Sequence, residues 1–257
     1  MGCLEVFTVD GMSRFGRIVF GVAMVLFGLL YLFYSRGLMP APGPPWTAET
    51  GVWAWLIGVG FVVAGVCIVV KRWARAATVL LASAFLLRVL FTFVPRVIEH
   101  VRDPGPWTSG AEVMALGAAA LVLARELELS NSMSWESLML AGRFLFAAAL
   151  VVFGIQHFLY AKFIATLITG WIPGHLFWAY FVGVAFIAAA LSLATKIQGR
   201  LAATLLGLMF LLWVIVLHIP RVVASPHNGN EWTSAMIALA MSGGSFVLAG
   251  ALRHVEH

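Results

Sequence analysis

The sequence predicts an all-α, polytopic membrane protein, and three observations carry that prediction. The chain of 257 residues is 62% hydrophobic and 11% charged, with a mean hydropathy of +0.98, whereas a soluble domain holds roughly 45–50% apolar and about 25% charged residues. A soluble fold of this make-up would have no polar surface to offer water. The apolar residues also fall in unbroken runs close to the roughly 20 residues that cross a bilayer as a helix, not in the alternating segments of about 10 residues that build a barrel. Finally, the pattern of the first half recurs in the second, so the runs come as two sets of four.

Taken in order, the runs are 18–34, 52–70, 76–94, 111–124, 144–160, 176–195, 201–219 and 234–252. Arg14 and Arg17 precede the first, which resembles a signal peptide in layout; the fifth run repeats that layout deep in the chain, so the first reads as a retained helix. Residues 1–12 read as an N-terminal extension, with Met12 opening "MSRFGR". Its "MGCLEV" lacks the Ser or Thr of a myristoylation signal. The second run is rich in small residues (Gly58, Gly60, Ala64, Gly65), as are the sixth and eighth, and small residues let helices approach closely in lipid. The third ends before Pro95 and the seventh before Pro220, because proline disfavours helix at the residue preceding it. The fourth is short and follows Ser109-Gly-Ala-Glu112, which fits a capping box. Polar "RELELSNSMSWES" then joins the halves, giving units 13–125 and 139–257 with a linker at 126–138.

The internal match is close. "FGRIVFGVAMVLFGLLYLFY" from Phe15 aligns with "AGRFLFAAALVVFGIQHFLY" from Ala141, placing Arg17 on Arg143 and Tyr34 on Tyr160. Further on, Lys71 aligns with Lys196, Arg75 with Arg200, and Pro95-Arg96 with Pro220-Arg221. An even number of spans per unit makes the repeat parallel, and the expected form is two tandem four-helix bundles about a pseudo-twofold axis along the membrane normal. Arg14, Arg17, Lys71, Arg72, Arg75, Arg125, Arg143, Lys196, Arg200 and Arg253 fall on one side, against Arg36, Arg96, Arg102, Lys162 and Arg221 on the other. The positive-inside rule then puts both termini in the cytoplasm of a cell membrane. The basic residues do not cluster, so nucleic acid is not an expected partner. Cys3 and Cys67 build neither an outward disulfide nor a Cys-x-x-Cys centre.

One loop is written twice, "VPRVIEHVRDPGPWTSG" from Val94 and "IPRVVASPHNGNEWTSA" from Ile219. Arg96 and Arg221 are placed to snorkel, Trp107 and Trp232 to sit in an aromatic belt, and each Thr-Ser to cap the following helix. Anchoring and ligand binding both remain open for this loop. The differences between copies point further. His157 stands where the first half has Tyr31, and His218 where it has Phe93. An ionisable side chain inside a membrane is a functional candidate by default, and imidazole donates hydrogen bonds, moves protons or ligates metal. With Tyr160, Trp178, Arg221 and Trp232, and with Lys162, Trp171, His175, His227 and Glu231 nearby, the two His form an outward polar and aromatic group suited to a flat amphipathic ring. A purely structural role, each His bonding a neighbouring helix, stands beside this reading. Without carboxylate or Cys support the pair makes a poor zinc site, and nothing fixes the geometry for bis-His haem. In the first half, Arg88 lies within the third run, and Glu112 is the acid at comparable depth, so a buried Arg88–Glu112 pair is expected. The second half has Trp213 and Ile237 at those positions.

The four-span layout, "GRFLFAAALVVFGIQHFLY" opening the second unit and "HIPR" closing its third helix resemble the DoxX-like membrane proteins. The resemblance implies a quinone-linked or redox-accessory role, with a quinone and a redox protein as partners beside the lipid bilayer. It transfers no catalytic residue. No nucleophile–base pair, phosphate loop or cofactor fingerprint is legible, so an enzyme acting alone is not expected. A structural or assembly subunit and a small-solute transporter are the alternatives, and the ligand, any cofactor and the oligomeric state stay open.

Overall fold

The computed structural model describes residues 9–35, 51–127 and 133–252. Cys3, Arg36, Arg253, the first eight residues of the expected extension and residues 128–132 of the expected linker lie outside the described residues. Among the described residues all regular structure is helical: α1 (Val9–Ser35), α2 (Val52–Val70), α3 (Ala74–Glu99), α4 (Pro104–Glu126), α5 (Met133–Leu159), the short α6 (Ala161–Thr166), α7 (His175–Thr195), α8 (Gly199–Ala224) and α9 (Gly229–Ala251). All except α6 are long and apolar enough to cross a membrane, which makes the chain a multi-pass membrane protein. The start of α1 and the end of α9 lie together, since Ser13 packs on Gly250. That end of the bundle is called the terminal end here, and the opposite one the distal end.

The helices are not arranged as two self-contained bundles. Within each half, consecutive spans pack on one another: α1 on α2, α2 on α3 and α3 on α4, then α5 on α7, α7 on α8 and α8 on α9. The first helix of each half, however, takes its other neighbour from the opposite half, α1 from α9 and α5 from α4, and α4 and α9 meet in the middle. The two central helices are accordingly the most enclosed, with 61% and 78% of their spans buried against 22% for α2 and α8. Composition explains the choice: α4 and α9 carry runs such as Ala118-Ala119-Ala120 and Ser242-Gly243-Gly244-Ser245, all buried. Small side chains on every face let a helix be surrounded by others. The outer helices turn large side chains such as Leu80, Leu87, Phe91, Leu191, Leu205 and Leu212 outward, where lipid replaces water.

Of the crossings that require glycine, the two tightest both involve α1. A Cβ on Gly16 would lie 2.6 Å from both Gly243 O and Val247 N across the α1–α9 contact. On Gly28 it would lie 2.5 Å from Gly58 O and 2.7 Å from Val62 N across α1–α2. Backbone, not a movable side chain, is the obstacle in both. Apolar lipid provides no hydrophobic drive between helices, so such close contact carries the association.

Four sequence expectations are corrected. Pro95 and Pro220 do not end their helices: a π turn stands at Val89–Phe93 and at Val214–His218, and helix resumes as Val94–Glu99 and Ile219–Ala224. The widened turn accommodates the proline ring, which lacks an N–H and would clash with the carbonyl four residues back in a regular helix. The fourth helix is not short but begins at Pro104, so Ser109 and Glu112 lie inside it and form no capping box; Asp103 Oδ1 accepts from Gly105 N at 2.9 Å instead. The Thr-Ser pairs are not caps either. Asn228 caps α9, while Thr108 and Thr233 donate to Pro104 O and Gly229 O, each at 2.8 Å within its own first turns. Last, residues 133–138 of the expected linker belong to α5, and Met12, at the edge of the expected extension, is buried in the core.

The tight α1–α2 crossing yields a paired prediction. Gly28→Ala should destabilise the protein by about 1–3 kcal/mol, the usual range for forcing extra volume into packed structure, in unfolding titrations with SDS in mixed micelles. Gly60→Ala, whose Cβ would meet nothing within 4 Å, should leave the midpoint unchanged.

Candidate functional site

Each half holds an aromatic cluster between its first three spans. In the first half Phe61 lies 6.1 Å from Phe27, 6.1 Å from Tyr31 and 5.7 Å from Phe85, ring centre to ring centre. In the second, Phe186 lies 5.7 Å from Phe153, 5.2 Å from His157 and 5.8 Å from Phe210. These are the repeat-matched positions, so His157 occupies the seat of Tyr31. Its ring meets Phe186 nearly edge-on, and its Nδ1 lies 2.8 Å from Phe153 O of its own helix. Trp213, 6.0 Å from Phe186 and 5.5 Å from Phe210, extends this cluster at the position Arg88 holds in the first half.

His218 sits differently. It closes the π turn of α8, and Arg221 follows it within one turn. Across the gap, Glu231 in the first turn of α9 meets Arg221 with both carboxylate oxygens, Nη2 donating to Oε1 at 2.9 Å and Nε lying 2.9 Å from Oε2. The Nη2–Oε1 contact is a hydrogen bond, whereas Oε2 makes an ionic contact to Nε without a hydrogen bond of its own. His218 lies within electrostatic reach of both members of the pair, yet its Nδ1 is buried without a hydrogen-bond partner. A buried polar atom left unpaired carries a desolvation penalty of about 1–3 kcal/mol, and Glu231 Oε2 beside it is in the same condition.

The remaining expected residues divide between structure and surface. Trp232 packs partly against the core and donates from Nε1 to Pro226 O at 2.9 Å. Trp107 does the same to Val101 O at 3.0 Å. The repeated loop is thus a hairpin that its own tryptophan closes, six residues back in both copies. Trp178 donates to Pro173 O at 3.1 Å and meets Phe177 and Phe181 edge-to-face, the residue 40% exposed on α7. Tyr160, half-buried, marks the break between α5 and α6. His157 and His218 stand on helices separated by α7, with Phe186 between His157 and the α8 aromatics. The structure therefore brings together His218, Arg221 and Glu231, and sets His157 in the neighbouring aromatic core. Glu231 was expected in the outward group near the two histidines, but not as the partner of Arg221. Its signal was in the alignment, where the first half has Pro106 at its position.

Arg88 and Glu112 are both half-buried on packed helices. Gly110 faces Phe93 and Gly117 faces Leu86, so interpolation along this antiparallel contact sets the two within about one helical turn of the same depth. Gln156 ties the halves at the distal end, accepting from Thr108 Oγ1 at 2.9 Å and donating to Pro104 O at 3.2 Å. Among the described residues no three His, Cys, Asp or Glu side chains converge as a metal site would require. No protein-family profile, curated protein or solved structure matches the chain.

The α8–α9 ion pair should be energetically coupled. In a double-mutant cycle with Arg221→Met and Glu231→Gln, thermal or SDS unfolding should return a coupling of about 1 kcal/mol or more, within the range for residues in one network. Additive losses would show the pair to be solvated and weak.

Proposed function

We propose that the chain is a DoxX-like cell-membrane protein built from a duplicated four-helix unit, both termini cytoplasmic, that acts as a quinone-interacting or redox-accessory subunit. Its ligand site lies at the distal end of the second half, around His218, Arg221 and Glu231, with Tyr160, Trp178, Trp232 and His157 as the aromatic and polar surround. The observation that carries this reading is the buried, unpartnered Nδ1 of His218 beside the Arg221–Glu231 pair, whose acid the first half replaces with Pro106. An imidazole held at that depth donates a hydrogen bond to a quinone carbonyl, and the adjacent guanidinium stabilises negative charge gathering on the ring oxygen. The duplication is supported by the paired π turns, the matched aromatic clusters, and left-handed backbone at Lys71 and Trp73 and again at Lys196 and Gln198.

A second reading, a structural or assembly subunit without its own ligand, draws on one observation. The Nδ1 of His157 is engaged by its own helix at Phe153 O, as a core histidine would be.

Repeat-matched swaps separate the two. His218→Phe restores the first-half residue, and a short-chain quinone analogue should then bind at least tenfold more weakly to purified protein, a change of about 1.4 kcal/mol. His157→Tyr should reduce binding less. Absence of quinone from a mild-detergent extract, together with no saturable binding by the unmodified protein, would remove the quinone reading and leave the assembly one. Orientation is checked separately: a fluorescent-protein fusion at the C-terminus should fluoresce, and alkaline phosphatase inserted after Arg102 or His227 should be active.

A further inference from the structure

At the terminal end of the first half, the start of α1, the end of α2 and the end of α4 flank an open cavity of about 490 Å³, lined by Ser13, Arg14, Arg17, Lys71, Leu123, Glu126 and Leu127. Three cations face one carboxylate there. That carboxylate is already engaged, Ser13 Oγ donating to Glu126 Oε2 at 3.3 Å. Arg17 is held in place by the end of α2, its Nη1 donating to Ile68 O and, at 2.8 Å, to Val69 O. Lys71, in left-handed backbone directly after α2, closes the rim. Cations at helix ends are ordinary in membrane proteins and commonly project into water. Here one is pinned by two carbonyls and the others border a concave space.

We infer that this cavity is an anion site that takes a phosphate group, supplied either by the phosphodiester of an anionic lipid headgroup or by a free phosphate compound. Arginine and lysine together suit such a group, the guanidinium by its planar fork and the ammonium as a point charge. Basic pockets between helix ends on one side of a membrane bind anionic headgroups for this reason. The volume falls within the usual span of ligand sites, roughly 300–1,000 Å³, and exceeds what a bare phosphate fills. The position is also apt, because the lining residues stand at the ends of apolar spans, the level at which lipid phosphates lie. The second half does not repeat the site. It keeps Arg143 and Lys196, but Leu140 stands at the Arg14 position and Ala251 at the Glu126 position. Arg143 itself is folded inward, 5% exposed, with its guanidinium over the ring of Phe144 at 4.9 Å.

The test uses the full chain in a non-ionic detergent, titrated with dihexanoyl phosphatidylglycerol, dihexanoyl phosphatidylcholine and inorganic phosphate. Saturable binding of the phosphatidylglycerol is expected, weakened at least tenfold in Arg14→Gln/Lys71→Gln and unchanged in the second-half control Lys196→Gln. Both exchanged residues are exposed, so the double variant should melt at the temperature of the parent; Arg14→Gln alone serves if it does not. Binding of inorganic phosphate on its own, with displacement of the lipid, assigns the site to a free phosphate compound. Lipid binding without phosphate binding assigns it to a headgroup. No saturable binding of either probe, equal affinity for phosphatidylcholine, or full affinity in the double variant overturns the proposal.

Discussion

The architecture rests on how closely two helix backbones can approach where no water is being expelled. In lipid, a leucine gains little by leaving hydrocarbon for protein, so contact area and backbone proximity carry the association. The α1–α9 and α1–α2 crossings meet that requirement with Gly16 against Gly243 and Gly28 against Gly58. These contacts place α1 between a helix of its own half and one of the other. From that placement follow the enclosed positions of α4 and α9 and the lipid-facing positions of α2 and α8. The aromatic clusters then fill the space that helices with larger side chains leave between them. Where the first half has Gly21 and Gly65, the second has Ala147 and Ala190, so the corresponding α5–α7 contact is made with an extra methyl on either side.

Much of this was legible in the residues, and the exceptions have identifiable causes. Eight apolar runs and their pairing by repeat could be read directly, because both depend on composition and spacing alone. Helix ends could not. A proline normally argues that a helix stops before it, but a π turn removes the clash with the preceding turn, and no local residue pattern announces such a turn. The capping reading at Ser109 failed for a related reason: Pro104 at the first helical position and Asp103 before it were the stronger start signal, five residues upstream. The cross-packing of the halves was invisible because sequence periodicity reports that a helix has a packing face, not which partner covers it. The fully apolar or small-residue surfaces of α4 and α9 were the available hint.

The candidate site shows the same division. That His218 and His157 differ in character could not be read from their equal standing as substitutions in the repeat. The difference arises from backbone: one lies in a regular helix with a carbonyl available one turn back, the other in a π turn whose hydrogen bonding is shifted. The partner of Arg221 could have been found by asking which acid appears where the first half has none, which selects Glu231 at the position of Pro106. The repeated loop turned out to be chiefly a fold element, since in both copies an indole N–H closes it onto a carbonyl six residues earlier. Function, where the halves have parted, lies in what neighbours the loop.

The exchange of neighbours between halves also bears on the order of assembly. α1 precedes the other described helices in the chain, yet one of its two packing partners, α9, is the last of them. Before α9 is made, the glycine face at Gly16 has no helix against it, and α4 lacks its own central partner. During synthesis α1 is therefore half-covered until α9 follows it into the bilayer. Helices from opposite ends of the described chain thus depend on one another for their packing.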